Sequence, residues 1–162
     1  MRTAVCFTGT ARSLEHTHEN LKENLIAGMG DCDIIALIAE NPHAHKAEQY
    51  FKELPNHKII KTEEMIDSRK RCGQLVSEQE LQSGIIYDRI VFSRLDVKYF
   101  NNVSKLVAGL DMNKIYIPDF HNTFGGAIDG YNDRFAVGNR ENMKTYFDLP
   151  DSLIPFTESG GQ

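Results

Sequence analysis

Residues 3–39 read "TAVCFTGTARSLEHTHENLKENLIAGMGDCDIIALIA", and this stretch decides the fold. Two apolar runs bound it: residues 3–9, which end at Gly9, and residues 32–39. Nearly unbroken apolar runs of this length are typical of strands buried on both faces of a parallel sheet. Between them, small or apolar side chains recur at the spacing of one helix face: Leu14, Thr17, Leu21, Leu25 and Ile26. A strand, a helix and a strand in this order predict a right-handed βαβ unit.

The rest of the chain continues this alternation. Helical patterns cover residues 45–54, 62–82 and 140–149, with Asn139 as the expected cap of the last one. Ser77 and Glu80 have the spacing of a capping box. Further strands are predicted in four places: residues 57–62, 87–100, 114–119 and 134–139. We therefore predict one α/β domain over residues 1–162, a Rossmann-like, mostly parallel sheet flanked by helices.

Composition excludes several classes of function. The formal net charge of −5 argues against general binding to nucleic acid, which needs a basic surface. No apolar run approaches the length of about 18 residues that a membrane span needs. The cysteines, Cys6, Cys32 and Cys72, are odd in number and widely spaced, which fits neither a disulfide framework nor a zinc knuckle. We expect a reducing compartment, the cytoplasm, and no membrane span.

The stretch "YDRIVFSRLDVKYF", residues 87–100, places two opposite charges inside an apolar segment. Apolar residues lie on both sides of Arg94 and Asp96 and look like the start and the continuation of one strand, which the two charges interrupt. Since residues i and i+2 of an extended segment share a face, the two charges can form an internal ion pair at a strand end. Alternatively, Asp96 is an oxygen ligand for Mg²⁺ or Mn²⁺ at the carboxyl edge of the sheet. The residues alone leave both interpretations open.

Two loops are candidates for ligand binding, because ligands of such sheets bind outside the carboxyl ends of the strands. The first, "FTGTARS", offers Gly9 for close backbone approach and Arg12 as a charge suited to phosphate, although it contains no P-loop. The second, "FGGAIDGYNDRFAVGN", contains a double glycine followed by two aspartates and an arginine. Both loops also have the composition of ordinary turns. No G-x-S-x-G element indicates a nucleophilic hydrolase.

Three stretches together resemble one family. Gly9 with Arg12 and Ser13 matches "G-x-x-R-[ST]", residues 87–96 match "Y-D-x-[VI]-[VI]-x-x-R-x-D", and residues 133–146 match "D-R-F-A-[VI]-G-[SN]-x-x-x-M-x-x-Y". In this order and spacing, the motifs resemble those of small GT-A-type glycosyltransferases found in bacterial polysaccharide clusters and in large algal DNA viruses. The last motif is the most specific of the three, and together they span most of the chain.

The resemblance implies a GT-A-like domain that transfers a sugar from a nucleotide-sugar donor, with a UDP-sugar as the expected one, to a glycan, lipid-linked or other hydroxyl acceptor. It implies Mn²⁺ or Mg²⁺ as cofactor, with Asp96 as the metal ligand and a catalytic residue, and Asp133 as the candidate catalytic base. It further implies donor-binding roles for eight residues: Thr8, Gly9, Thr10, Arg12, Arg94, Gly125, Gly126 and Arg134. Relatives of this kind continue past the position of Glu158, so we expect the chain to lack part of their C-terminal segment.

Two other functions remain open at this point. A non-catalytic module that binds a nucleotide sugar or a glycan would keep the same fold, and the single aspartate of the second motif, with Ser93 and Arg94 where a fuller acidic motif would stand, favours it. A phosphotransferase or nucleotidyltransferase would need a P-loop or a richer acidic cluster, which the sequence does not contain.

Overall fold

The computed structural model describes residues 1–54, 56–63, 68–119, 123–124, 127–128 and 133–158, with the backbone alone for 123–124, 127–128 and 150–158. Its strands are β1 (Thr3–Gly9), β2 (Cys32–Ala39), β3 (His57–Thr62), β4 (Arg89–Arg94), β5 (Thr123–Phe124), β6 (Ala127–Ile128) and β7 (Phe135–Gly138). Its helices are α1 (Leu14–Leu21), α2 (Ala44–Phe51), α3 (Ser68–Ser83), α4 (Val103–Ala108) and α5 (Arg140–Glu158). A 3₁₀ turn, Ala11–Ser13, precedes α1, and a π turn, Lys22–Ile26, extends it.

The main sheet has the strand order β3-β2-β1-β4-β7. Strand β1 lies in the centre and pairs in parallel with β2 and β4, so that Val5 is in register with Ile34 on one side and Val91 on the other. Strand β3 adds in parallel to β2, whereas β7 pairs antiparallel with β4. The mostly parallel α/β sheet flanked by helices is confirmed. The carboxyl ends of β1 and β4 therefore lie side by side at one edge.

Each face of the sheet has its own core. On one face the rings of Phe7 and Phe51 lie 5.3 Å apart between β1 and α2, in a cluster to which α1 and α4 contribute. On the other face Phe92 of β4 packs against Phe147 of α5, with ring centroids 6.2 Å apart, under the cover of α3. Helices α3 and α5 meet at Gly73, where an added Cβ would lie 2.8 Å from the Cβ of Phe147. Strands β1 and β4 are therefore buried on both faces of the sheet.

The predicted capping box is wrong. Ser77 and Glu80 lie inside α3, and the Ser77 hydroxyl donates to the carbonyl of Gly73 at 3.2 Å. Glu80 is buried and accepts from Arg140 Nε at 2.8 and 2.9 Å and from the Tyr87 N–H at 3.1 Å. This carboxylate joins α3 to the start of α5 and to the segment before β4. Its partners are distant in sequence, which is why a local capping pattern misled the prediction.

Two further boundaries differ from the prediction, whereas the cap of α5 agrees with it. Residues 114–119 contribute an isolated bridge between Tyr116 and Val137 and no longer strand. Strand β4 ends at Arg94, so residues 95–100 do not continue it. Asn139 caps α5 as predicted, because its side-chain oxygen accepts from the Asn142 N–H at 2.8 Å. In the described part of the chain, no helix is long and apolar enough to cross a membrane.

Candidate functional site

Arg94 and Asp96 form a bidentate ion pair where β4 ends. Nε of Arg94 donates to Oδ1 of Asp96 at 2.9 Å, and Nη2 donates to Oδ2 at 2.6 Å. The exposed fractions of the two side chains are 38% and 39%, so the pair lies at the surface of the edge and not in the core. The internal ion pair that we considered from the sequence is therefore present. Its position also keeps both charged groups within reach of a ligand.

The pair changes the proton affinity of both groups. Partial burial by itself would raise the pKa of Asp96, but the hydrogen bonds from Arg94 and the nearby charge of Arg134 outweigh it, and the pKa lies below its ordinary value. Hydrogen bonding to Asp96 raises the pKa of Arg94. At neutral pH, the edge therefore presents a stable carboxylate and a stable guanidinium.

Helix α1 fixes the segment that follows β4. The Thr17 hydroxyl donates to the Leu95 carbonyl at 2.8 Å, and Leu95 is fully buried. Asn20 bonds both backbone groups of Tyr99, accepting from its N–H at 2.6 Å and donating to its carbonyl at 2.8 Å. The Tyr99 hydroxyl in turn lies 2.8 Å from the Ser93 hydroxyl. These bonds turn the chain away from the sheet and explain why β4 ends at the charged pair.

The antiparallel strand β7 brings Asp133 to the same place. The Arg94 N–H donates to the Arg134 carbonyl at 3.0 Å, which aligns the start of β7 with the end of β4. Oδ1 of Asp133 then lies 4.0 Å from Nη1 of Arg94, and the Asp133 side chain is 60% exposed. Asp133 and Asp96, which are 37 positions apart in the sequence, thus flank one guanidinium.

The first loop meets this edge through β1. Thr8 is in register with Arg94, so their side chains project from the same face of the sheet. Thr8 is 4% exposed, and its hydroxyl oxygen has no hydrogen-bond partner among the residues that the structure describes. Gly9 has a φ of +129°, a conformation that other residues rarely adopt, and the backbone turns there. Thr10 and Arg12 follow it and are exposed.

Arg69 and Tyr146 also lie at this edge, and neither was predicted as a site residue. Helix α3 follows the parallel strand β3, so its first turn starts at the carboxyl edge. The guanidinium carbon of Arg69 lies 5.3 Å from the centroid of the Tyr146 ring. Burial raises the pKa of Tyr146, the Arg69 charge lowers it, and the Asp133 charge raises it further. The signal in the sequence is "RKR", residues 69–71, at a helix end where cations are normally disfavoured.

The predicted residues are thus brought together only in part. The structure groups Thr8, Arg94, Asp96, Asp133 and Arg134 at the ends of β1, β4 and β7. Gly125 and Gly126 lie outside the described residues, and so do Asp129 and Asn132 of that loop. The described part of the chain contains no group of three or more His, Cys, Asp or Glu side chains that would hold a metal.

The donor set nevertheless suits one kind of metal site. Both oxygens of Asp96 accept from Arg94, so an ion binding to the protein alone would compete with a guanidinium. Mg²⁺ at phosphate sites is held by one or two carboxylates together with phosphate oxygens and water. Asp96, with Asp133 on the same guanidinium, provides such a partial set. The residues therefore fit an ion that arrives with a diphosphate.

Several solved structures are similar to the chain. The glycosyltransferase GlyE of Streptococcus pneumoniae TIGR4 matches with a TM-score of 0.52 and 17% identity, over 98% of this chain and 39% of its own. The mannosyltransferase PcManGT of Pyrobaculum calidifontis, solved with GDP-Man and Mn²⁺, matches with a TM-score of 0.58 and 11% identity, over 86% of this chain and 45% of its own. The fold is that of the GT-A glycosyltransferases.

This GT-A fold is not confined to enzymes that transfer sugars. A cytidylyltransferase from Leptospira borgpetersenii also matches, with a TM-score of 0.54 and 12% identity, over 90% of this chain and 63% of its own. The chain spans between about two fifths and two thirds of the length of these neighbours. No protein-family model matches it, and no curated protein does. At these identities the comparisons establish the fold alone.

Proposed function

We propose that the chain is a metal-dependent glycosyltransferase that takes a sugar from a nucleotide-sugar donor, a UDP-sugar in the first instance. The observation that carries the proposal is the placement of Asp96 and Asp133 on either side of Arg94, at the carboxyl edge of a GT-A sheet. Ligands of open α/β sheets bind at this edge. Residues 1–162 form a single domain in this proposal.

The donor would lie across the ends of β1 and β4. The exposed side chain of Thr10 and the turn at Gly9 are available to it, and Arg12 and Arg94 carry the charge that a diphosphate requires. The Thr8 hydroxyl is buried and has no partner among the described residues, and Thr8 keeps the donor-binding role expected from the family resemblance. Arg134, Gly125 and Gly126 keep the donor-binding roles expected from the family resemblance. Asp96 would hold Mn²⁺ or Mg²⁺ together with the diphosphate.

Transfer requires a base and a stabilised leaving group. In this proposal Asp133, which is 60% exposed, accepts the proton of the acceptor hydroxyl as that oxygen bonds to the anomeric carbon of the donor. The bond between that carbon and the diphosphate breaks, and the electron pair leaves with the nucleoside diphosphate. Arg94 and Arg12 stabilise the charge that develops on it. A bound Mn²⁺ or Mg²⁺ would supply Lewis-acid stabilisation of the same charge.

Two observations support alternatives. The ion pair with Arg94 occupies Asp96 completely, which suits a non-catalytic module that binds a nucleotide sugar or a glycan. The similarity to a cytidylyltransferase suits a nucleotidyltransferase, which would join a nucleoside triphosphate to a sugar phosphate and release pyrophosphate. These three functions differ in what they release: nucleoside diphosphate, nothing or pyrophosphate.

The location of the protein is proposed from its thiols. Cys6, Cys32 and Cys72 are all free and buried. Burial raises the pKa of Cys6 and of Cys72, so that both remain unreactive thiols. Three reduced cysteines fit a reducing compartment, and we propose the cytoplasm.

The test is thermal unfolding with UDP, GDP, CDP and their sugars, each with and without Mn²⁺. A ligand at about 100 times its dissociation constant stabilises the native state by about 2.7 kcal/mol. We expect a Mn²⁺-dependent increase with one nucleotide, lost in Asp96→Ala and kept in Asp148→Ala, a surface control on α5. Release of nucleoside diphosphate with an acceptor would then establish transfer. Binding without turnover would favour the module, and pyrophosphate release from a triphosphate would favour the nucleotidyltransferase.

A further inference from the structure

An apolar groove with a volume of about 740 Å³ lies beside the candidate donor site. It runs between residues 97–101, α4, residues 116–118 and β7, and its walls are aliphatic and aromatic. Two of its side chains are unusually exposed for their size: Phe100 at 96% and Leu106 at 61%. Covering them would remove apolar surface from water, which is favourable. The groove therefore has the walls of a site for an apolar ligand.

The charge of the groove is one-sided. Among the lining residues that the structure describes, the charged ones are Lys98 and Arg134, and none carries a carboxylate. This is notable because the whole chain has a net charge of −5. A ligand that matches the groove combines an apolar chain with an anionic group. A free glycan does not match it, since its hydroxyl groups would lose water against apolar walls without gaining partners.

The groove is continuous with the candidate site. Arg134 lines the groove, and its carbonyl accepts from the N–H of Arg94 at 3.0 Å. The preceding residue, Asp133, is the proposed base and lies 4.0 Å from the Arg94 guanidinium. Backward along the chain from Phe135, which lines the groove, an apolar wall residue is followed by the cation Arg134 and then by the carboxylate Asp133. This is the order of the parts in a lipid-linked sugar: apolar chain, phosphate, sugar hydroxyl.

We propose that the groove binds the apolar chain of a lipid-linked acceptor whose phosphate contacts Lys98 and Arg134 and whose sugar hydroxyl reaches Asp133. The proposal rests on the proposed function, because it assigns the acceptor of that transfer. Its binding step requires neither donor nor metal and is therefore tested separately.

The absence of tryptophan from the sequence allows a direct test. Phe100→Trp places a single fluorescent reporter on the groove wall, and Leu106→Trp gives an independent one. The probe is farnesyl monophosphate below its micellar concentration, compared with farnesol and with inorganic phosphate. We expect a saturable blue shift of the tryptophan emission with farnesyl monophosphate and no effect of inorganic phosphate. Farnesol should bind more weakly by about tenfold or more, because it lacks the charge-assisted contact of the phosphate.

Two exposed lysines distinguish a direct contact with the phosphate from a general effect of the protein's charge. In either tryptophan variant, Lys98→Glu should weaken the binding of farnesyl monophosphate by about tenfold or more and leave the binding of farnesol unchanged. Lys105→Glu is the matched control, since Lys105 belongs to α4 but does not line the groove, and it should change neither.

Three results would overturn the assignment. The first is no emission shift in either reporter, and the second is equal binding of farnesol and farnesyl monophosphate. The third is a shift that grows with protein concentration alone and accompanies dimers in sedimentation, because a second copy of the chain would then cover the groove. Failure of the nucleotide test together with a positive farnesyl result would remove the glycosyltransferase proposal and leave a lipid phosphate site. A positive nucleotide test without farnesyl binding would remove only the acceptor assignment.

Discussion

The guanidinium of Arg94 donates to both carboxylate oxygens of Asp96, at 2.9 and 2.6 Å, and its third nitrogen lies 4.0 Å from Asp133. Arg94 thus lies between two carboxylates, where a divalent ion would also be attracted. An entering diphosphate would compete for the guanidinium and release the oxygens of Asp96. Without ligand, the Arg94–Asp96 pair holds both carboxylate oxygens. We therefore expect metal and nucleotide to bind together.

Removing the guanidinium should therefore increase the affinity for metal. We expect wild type to bind Mn²⁺ weakly without nucleotide, and Arg94→Gln to bind it at least about tenfold more tightly, because two carboxylates lose their internal cation. Isothermal titration with Mn²⁺ alone measures the difference. Arg71→Gln is the control, since it removes a similar ion pair with Glu78 on the surface of α3. If Arg94→Gln binds Mn²⁺ no better than wild type, Asp96 is not a metal ligand.

Thr8→Val should have opposite effects on stability and on nucleotide binding. The hydroxyl of Thr8 is buried and makes no bond to any described residue, so replacing it with a methyl group should stabilise the free protein by about 1 kcal/mol. Nucleotide affinity should fall if this hydroxyl contacts the donor. Urea unfolding and a nucleotide titration measure the two effects.

Thr3→Val provides the matched control on the same strand. The Thr3 hydroxyl accepts from Arg89 at 2.9 and 3.2 Å, and both residues are buried. Its loss leaves a buried charge without that partner and should destabilise the protein by about 2–3 kcal/mol, without a specific effect on nucleotide affinity. Equal destabilisation in both variants would mean that the Thr8 hydroxyl is satisfied within the chain.

Asn20→Ala should loosen the segment that carries Asp96. Asn20 makes two bonds of 2.6 and 2.8 Å to the backbone of Tyr99, and their loss should destabilise the protein by about 2 kcal/mol. Asn24 makes one longer bond of 3.3 Å to the same carbonyl, so Asn24→Ala should cost less than about 1 kcal/mol. Thermal unfolding compares the two. The interpretation of the turn after β4 is wrong if the two variants are equally stable.

The stability of the protein should fall at alkaline pH. Burial raises the pKa of Cys72 from an ordinary value of 9.0 to about 12. Because this folded-state pKa is raised, the contribution is fully present below pH 9.0 and is lost as the pH rises toward 12, since only the unfolded chain releases the proton. The slope is about −1.4 kcal/mol per pH unit for this one group.

Cys72→Ala should make that slope shallower by about the same 1.4 kcal/mol per pH unit between pH 9.5 and 11, measured by urea unfolding. Val76→Ala, in the same helix and core, is the control: it should lower stability at all pH values and keep the slope of wild type. An unchanged slope in Cys72→Ala would show that this thiol ionises normally in the folded protein.

The strands that the sequence predicted best are those whose bounds follow from the local pattern of residues. Residues 3–9 and 32–39 match β1 and β2 in both bounds, because nearly unbroken apolar runs bounded by polar turns have one stable placement in a parallel sheet. Residues 57–62 match β3 as well, although only Ile59 and Ile60 in it are apolar. The end of β4 could not be predicted in this way. The bond from Thr17 to Leu95, which helps to terminate it, spans 78 residues.

The candidate site was predictable to the same limited extent. The Arg94–Asp96 pair follows from the spacing of two residues on an extended chain. The approach of Asp133 depends on the antiparallel pairing of β7, which no local pattern encodes. Arg69 was missed for a related reason, since its contact with Tyr146 joins the start of α3 to a later turn of α5, 77 residues along the chain. Family resemblance indicated Asp133, and geometry was needed to find Arg69.

The pairing of β7 with β4 also has a consequence for folding. It closes a loop of about 40 residues, between Arg94 and Arg134, whereas β1, α1 and β2 are joined by much shorter connections. We therefore expect the βαβ core to form first and β7 to dock late, so the chain acquires its paired carboxylates only in the final step of assembly. A ligand at this site would favour the completed sheet, and it should protect the β4–β7 amides from hydrogen exchange while leaving those between β2 and β3 unchanged.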